Sequence, residues 1–370
     1  LDLMVNNALI NAEYSQQDPH QSISCLDSRL ATIEPEVYQI ETATVDDKIA
    51  LALSLEQGVV SKPNATSAPY NGFAESDIHV ILANTQGTLC SHSERSTYCY
   101  AYTLYEKDGK QAMHGGMSSG RLFHQLDSTY CINHGYDMAQ ALLDGAPIAS
   151  KHYSVIFTLS ALSNLFSAYG MCLSGQAAMK GINPWRDALH TQVASPLLTI
   201  TDTAYVNGGF AIKAFDSEGF ATRDTLLIGE GKLQSLLHNS HTASYFGIEN
   251  TANGSRSAKG GLGVGGSHTV IQAGSSSEAD ITAGEYLELV ELQGVHSGAD
   301  AVSGDFSFGA SGFLCRDGQR VQAVRGITVA GNFYQMIKEI DAVGNQLDND
   351  YSRSFYAPKI RFSRLNIAGK

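Results

Sequence analysis

Hydrophobic and polar positions alternate over short stretches through most of this chain, and few segments carry a helical period. Val45 to Gln57 is the clearest of those few, an amphipathic helix. Asp46 and Asp47 sit in its first turn, where carboxylates complement the macrodipole, and Gly58 stops it. Ser61 to Gly72, with its prolines and asparagines, reads as a connecting loop. Ile78 to Ala83, Thr88 to Ser93 and Thr97 to Tyr105 are strand-like runs, separated by turns at Asn84-Thr85-Gln86-Gly87 and at Glu94-Arg95. A hairpin turn at Lys107-Asp108-Gly109-Lys110 leads into another strand at Ala112. Leu122 to Leu143 predicts a long helix stopped by Gly145. Residues 1–150 therefore read as a mixed α/β first domain.

The remainder, 151–370, opens with a strand at His152 to Leu159 and a helix at Ala161 to Ser174. Past Pro196 the pattern turns mostly β and glycine-rich, interrupted by helices at Leu233 to Phe246 and Phe333 to Val343. Strands are expected at Ala211 to Asp216, Thr225 to Ile228, Tyr286 to Glu291, Gly312 to Cys315 and Val321 to Val329, joined in part by a tight turn at Gly229-Glu230-Gly231-Lys232. Gly254 to Gly266 and Ala273 to Ser277 read as loops. The predicted fold class is α+β, a mixed α/β N-terminal domain followed by a mostly antiparallel β C-terminal domain with a few helices.

Composition narrows the function. A length of 370 residues favours two domains, and 43% hydrophobic content supplies ample core. The net charge of -13, with 24 basic residues and no basic run, argues against a surface that tracks nucleic-acid phosphates. The longest apolar runs are strand-length, well short of the roughly 20 residues a membrane helix needs, so no membrane partner is expected. Six cysteines stand far apart without a C-x-x-C pair, which predicts reduced, mostly buried thiols and a cytoplasmic location.

Candidate chemistry is sparse. Gly261 to Gly266 satisfies G-x-G-x-x-G, but Ser267 to Gly274 after it is strand-like where a dinucleotide site needs a helix. Among twelve histidines the close groupings are His238 with His241 and His114 with His124. His238 and His241 fall on a predicted helix, three apart, with no carboxylate or thiol beside them in sequence. Asp300, Asp305 and Glu291 lie between glycines, where aspartates cap turns more often than they bind cations or act as bases. There is no G-x-S-x-G elbow, and Cys315 sits mid-strand, the position of an inert thiol.

Several blocks in fixed order resemble the PmbA (TldE) branch of the TldD/PmbA family, once labelled modulators of DNA gyrase. They are Phe215-Asp-Ser-Glu-Gly219, Leu227-Ile-x-x-Gly231-x-Leu233, the segment His296 to Gly312, Ile327-Thr-Val-Ala-Gly-Asn332 and Ile367-Ala-Gly369. The resemblance implies a subunit of a cytoplasmic metallopeptidase that processes unstructured peptides. It also implies a strand-rich opening section before Ile33 to Gln57, of which this chain carries little. In the TldD branch a helix after the first strand of the C-terminal domain bears an H-E-x-x-x-H zinc motif. Here that helix begins at Ser160 with apolar or small residues in place of ligands, and no cysteine follows Cys315 to match the family's late cysteine ligand. No cofactor is therefore expected in this chain, with zinc expected only in a TldD-like partner of a heterodimer. A peptide-binding homodimer and a stand-alone peptidase are the alternatives. His296, Ser297, Asp300, Ser303 and Asp305, with Gly261 and Gly263, are expected to face substrate. His238, His241 and Asp305 are the fallback metal set.

Overall fold

The structure, a computed structural model, describes residues 1–25, 27, 30, 37, 39–257 and 259–370. The expected loop from Ile33 therefore begins outside the described residues. Helix α1 (Asp2–Tyr14) buries none of its side chains. Helix α2 (Val45–Val60) starts in a capping box, the Thr44 hydroxyl accepting the Asp47 N–H while the Asp47 carboxylate accepts that of Thr44. Its Leu55 and Val59 pack with Cys99, Ala101 and Cys131 against a four-stranded antiparallel sheet. The strands are β1 (Ala65–Ser67), β2 (Asn71–Ala83), β3 (Leu89–Lys107) and β4 (Lys110–Gly120).

Two sequence expectations fail here. The turn at Glu94-Arg95 is instead the middle of an unbroken β3, because Arg95 pairs across the ladder with Asp77 at 2.7 Å. The loop Ser61 to Gly72 is partly drawn into β1 and the start of β2. The hairpin at Lys107 to Lys110 joins β3 to β4 as predicted. Helix α3 (Ser128–Leu142) lies across β3 and β4 and starts later than its apolar pattern suggests. Phe123–Gln125 forms a 3-10 turn, after which the Asp127 carboxylate caps α3 by accepting the Tyr130 N–H.

The chain continues through β5 (Lys151–Phe157), α4 (Leu159–Ala168), α5 (Gly175–Met179), β6 (Ile200–Thr203), β7 (Thr225–Gly229), β8 (Lys232–Leu233) and α6 (Ser240–Phe246). There follow β9 (Gly254–Ser255), β10 (Gly263–Val264), β11 (His268–Ile271), α7 (Glu278–Ile281), β12 (Glu285–Gln293), α8 (Val295–Gly298) and β13 (Asp305–Arg316). The last elements are β14 (Gln319–Asn332), α9 (Phe333–Met336), β15 (Ile340–Val343), β16 (Asp348–Asn349), β17 (Phe355–Ala357) and β18 (Ile360–Ala368). They build two six-stranded sheets. One runs β16-β17-β11-β6-β7-β8. In the other, β14-β13-β12-β5-β18-β15, β14 also pairs with β18, so five strands close on themselves and lose their edges. Only β5–β12 and β11–β17 are parallel among these named strand pairs. Val155, Phe157, Leu165, Ile200, Leu289, Phe308 and Phe362 join one large core beneath both sheets.

The α+β class stands, but the predicted helices shorten. Leu233 to Phe246 contributes only α6, since Leu233 is taken into β8. Phe333 to Val343 gives one turn of helix and then β15, whose Ile340 and Val343 are buried against β18. Helix α4 ends at Ala168 and passes into a 3-10 turn at Gly170–Leu173. Ala211 to Asp216 forms no named strand, only a single bridge from Phe215 to Ala221. The Gly254 to Gly266 loop is tied by pairing of β9 with β10. Among the described residues no helix is long and apolar enough to cross a membrane.

Candidate functional site

A cavity of about 720 Å³ opens between the first sheet and the closed C-terminal sheet. That lies within the range of roughly 300–1,000 Å³ usual for ligand sites. Its most unusual wall is β4, of which every residue from Met113 to Ser119 lines the space. Side chains of a strand alternate between faces, so an unbroken run of lining residues means that the strand's edge faces the cavity. β4 pairs with β3 along one edge, and among the described residues no strand pairs with the other. Two glycines make this edge possible. A Cβ at Gly116 would sit 2.5 Å from the Cys131 carbonyl oxygen, so α3 covers that face of β4 at backbone contact. A Cβ at Gly115 would sit 2.6 Å from the Tyr102 ring, which lies flat on the opposite face.

Helix α3 contributes Tyr130, His134 and Met138, spaced one turn apart on one face. The His134 ring stacks on Tyr130 at 5.1 Å and meets His114 edge-on at 5.6 Å. Burial holds the His114 imidazole below its ordinary pKa, with nearby Glu291 and a hydrogen bond to the Gly115 carbonyl opposing the shift. Burial also depresses His134, helped by His114 and Arg320. Burial thus favours the neutral form of both rings, which serve as aromatic surface. The Tyr102 phenol is raised by burial and then by Glu291. The arginines in the wall are engaged. Arg320 Nε donates to Glu288 at 2.7 Å, and Arg353 donates to the Ser119 carbonyl at 2.7 Å. Asp350 accepts the Ser163 and Ser352 hydroxyls at 2.9 and 2.6 Å.

Helix α4 presents Ser160, Ala161 and Asn164 to the same space. Catalytic zinc takes three nitrogen, sulfur or carboxylate donors and a water, and this face offers a hydroxyl, a methyl and an amide. Among the described residues no three His, Cys, Asp or Glu side chains are grouped to hold a metal ion. The residues present do not fit zinc, and no hydrolytic step can be derived through it. What the walls can do is hold an extended chain against the β4 edge.

The family comparisons agree with this architecture. Residues 150–369 match the model of the PmbA/TldA metallopeptidase C-terminal domain, and residues 38–142 match that of the central domain. The chain belongs to the PmbA/TldD family. It is 26% identical to Metalloprotease PmbA of Escherichia coli O157:H7, over 99% of this chain and 80% of that protein. A Metalloprotease PmbA homolog of Haemophilus influenzae is 25% identical over 99% of this chain and 79% of its own length. TldE from Thermococcus kodakarensis superposes with a TM-score of 0.86 at 21% identity, covering 99% of this chain and 84% of that one. A Thermotoga maritima protein described as a proposed DNA gyrase modulator gives a TM-score of 0.89 at 22% identity, over 98% of this chain and 82% of that one. At such identity these structures show a shared fold.

Of the residues singled out from sequence, His114 and Glu291 line the cavity, while those expected to face substrate lie elsewhere. His296 and Ser297 are exposed on the one-turn α8, the Ser297 hydroxyl donating to the Gly294 carbonyl. Asp300 accepts the Val302 and Ser303 N–H groups at 2.8 and 3.1 Å, a turn-capping role that holds its carboxyl below the usual range. The Ser303 hydroxyl accepts the Asp305 N–H, and Asp305 accepts the Asn332 amide at 2.9 Å. Gly261 is exposed, and Gly263 belongs to β10 with its carbonyl accepting from Asn239. None of these seven residues lines the cavity.

The fallback metal set is not assembled. His238 lies before α6, buried against Thr242, while His241 bonds Asp18 at 2.8 Å and Asp305 bonds Asn332. His114 meets His134 rather than His124, because α3 begins after His124 and carries His134 over β4. His134, Tyr102, Tyr130, Tyr351 and Asp348 escaped sequence reasoning. Only the one-turn spacing of Tyr130, His134 and Met138 gave a local signal.

Proposed function

We propose that this chain is the metal-free subunit of a peptide-processing complex, paired in the cytoplasm with a TldD-like, zinc-bearing relative. The observation that carries the reading is the open edge of β4 along a cavity whose α4 wall lacks metal donors. An unstructured peptide laid on that edge adds a strand, exchanging backbone hydrogen bonds that are indifferent to sequence. The names of the relatives as metalloproteases support a peptide substrate, and the net charge of -13 speaks against nucleic acid.

The test is fluorescence anisotropy of a labelled unstructured peptide with the purified chain, followed by a cleavage assay with and without the TldD-like relative. Binding without cleavage by the chain alone, and faster cleavage on mixing, is the expected result. Absence of peptide binding, or no gain on mixing, rejects this role. Chelator-sensitive cleavage by the chain alone would point instead to a stand-alone peptidase. Peptide binding by a homodimer indifferent to the relative would point to a binding protein without chemistry.

A further inference from the structure

The cavity carries carboxylates that its own cations do not neutralise. Glu291, near the end of β12, accepts one hydrogen bond, from the Ser311 hydroxyl at 3.1 Å. Asp348 accepts only the adjacent Asn349 N–H at 2.8 Å. Neither has an ion-pair partner among the described residues, and both line the cavity. The wall's two arginines are turned to other tasks, Arg320 to Glu288 and the Phe313 face, Arg353 to the Ser119 carbonyl and the Phe210 face.

Tyr102, Tyr130 and Tyr351 line the same space as the two carboxylates. Glu291 acts on Tyr102, as does Tyr351, and Asp348 acts on Tyr130. Tyr130 and Tyr351 are both 47% exposed, and both line the cavity, so their rings are open to a ligand there. A carboxylate adjoining aromatic faces is the environment an ammonium or guanidinium prefers, since charge and ring quadrupole attract it together. An anionic group would meet Glu291, Asp348 and Asp350, against which the wall sets only Arg320, already paired with Glu288, and Arg353.

We propose that this cavity selects the cationic group of a bound peptide, an N-terminal ammonium or a Lys or Arg side chain, through Glu291, Asp348 and the faces of Tyr102, Tyr130 and Tyr351. The inference rests on the reading that the cavity holds a peptide. It adds a chemical preference that the β4 edge, which reads only backbone, cannot supply.

Four labelled peptides of one length test it by anisotropy: a neutral one capped at both ends, the same with one internal Lys, the same with one internal Glu, and the neutral one with a free amino terminus. The Lys peptide or the free-amine peptide is expected to bind roughly tenfold tighter than the capped neutral one. Which of the two does so identifies the cation's source. The Glu peptide is expected to bind more weakly than the neutral one. The preference should shrink in high salt and vanish in the E291Q/D348N double variant. A thermal melt near that of the wild type reports that the variant is folded. Equal binding of all four peptides by the wild type, or a preference that survives in the double variant, overturns the inference and leaves the peptide-binding reading intact. If none of the four binds, both fail.

Discussion

The segment Glu291 to Asn332 and the wall of the cavity are built on opposite plans. The first is the most distinctive stretch of the sequence, and the polar groups of its turn are engaged within it. Asp300 caps its own turn, Asp305 holds Asn332, and the Tyr334 hydroxyl just beyond donates to Ala301 at 2.5 Å. Its Gly312 exists because β13 passes β12 so closely that a Cβ would lie 1.9 Å from the Glu288 carbonyl oxygen. The cavity wall takes its residues from seven separated parts of the chain, and few stand out in sequence. Glu291, Leu292 and Arg320 belong to both. A distinctive motif can thus be distinctive for the backbone geometry it secures, while the ligand-facing groups are common residues brought together by topology.

Substitutions can break or sharpen that contrast. The largest effect is expected for Gly312→Ala. Both β12 and β13 would have to separate inside the closed sheet, costing at least about 3 kcal/mol. Thermal melting should show a protein scarcely folded, and a midpoint near wild type would refute the close-packing argument. Next comes Gly116→Ala in the cavity wall, where the added methyl meets the Cys131 backbone. A loss of about 2 kcal/mol in denaturant titration is expected, together with weakened peptide binding as α3 lifts from β4. Loss of stability with binding unchanged would separate α3 from the site.

His238 gives an effect tied to pH. Burial pushes its pKa down to about 4 from the ordinary 6.5, so the unfolded chain takes up a proton that the folded chain refuses. Its contribution is complete above pH 6.5 and is lost as pH falls toward 4, with a slope approaching about 1.4 kcal/mol per pH unit. Buried Asp202 and Asp216, raised to about 6, act with the opposite sign, the stability they favour being lost as pH rises through 6. The difference between wild type and His238→Gln therefore isolates the histidine. That difference should depend on pH between 6.5 and 4, and a constant offset would contradict the assignment.

A smaller effect, about 1 kcal/mol, is expected for Asp300→Ala, which strips two backbone N–H groups of their acceptor at the surface. Chemical denaturation reads the loss, and peptide anisotropy should be unchanged. If peptide affinity falls with little loss of stability, the signature loop faces substrate after all. Glu291→Gln is expected to move stability least, by under about 0.5 kcal/mol, so any change in cationic-peptide binding would reflect the site itself.

Much of the fold was legible locally. The start of α2 at Asp46 and Asp47, the hairpin at Lys107 to Lys110, the strand character of the segment after Gly266 and the Asp300 turn all follow from nearest-neighbour chemistry. Predictions failed where a distant partner outweighed local preference. Arg95 looks like turn material until Asp77 lies across from it, and Ile340 to Val343 looks helical until β18 offers an apolar ladder. The candidate site was barely legible, for the same reason.

The sequence by itself determined the α+β class, the family and the small or apolar residues at the start of α4. Each of these is written in contiguous residues, and short-range patterning or motif order suffices to read it. Only the tertiary structure decided that β4 turns an open edge to a cavity, that His114 meets His134, and that Glu291 and Asp348 share one space with no ion-pair partner among the described residues. Those relations join residues far apart in the chain, and the packing of α3 on β4, with β12 lining the same cavity, is what brings them within reach of one ligand.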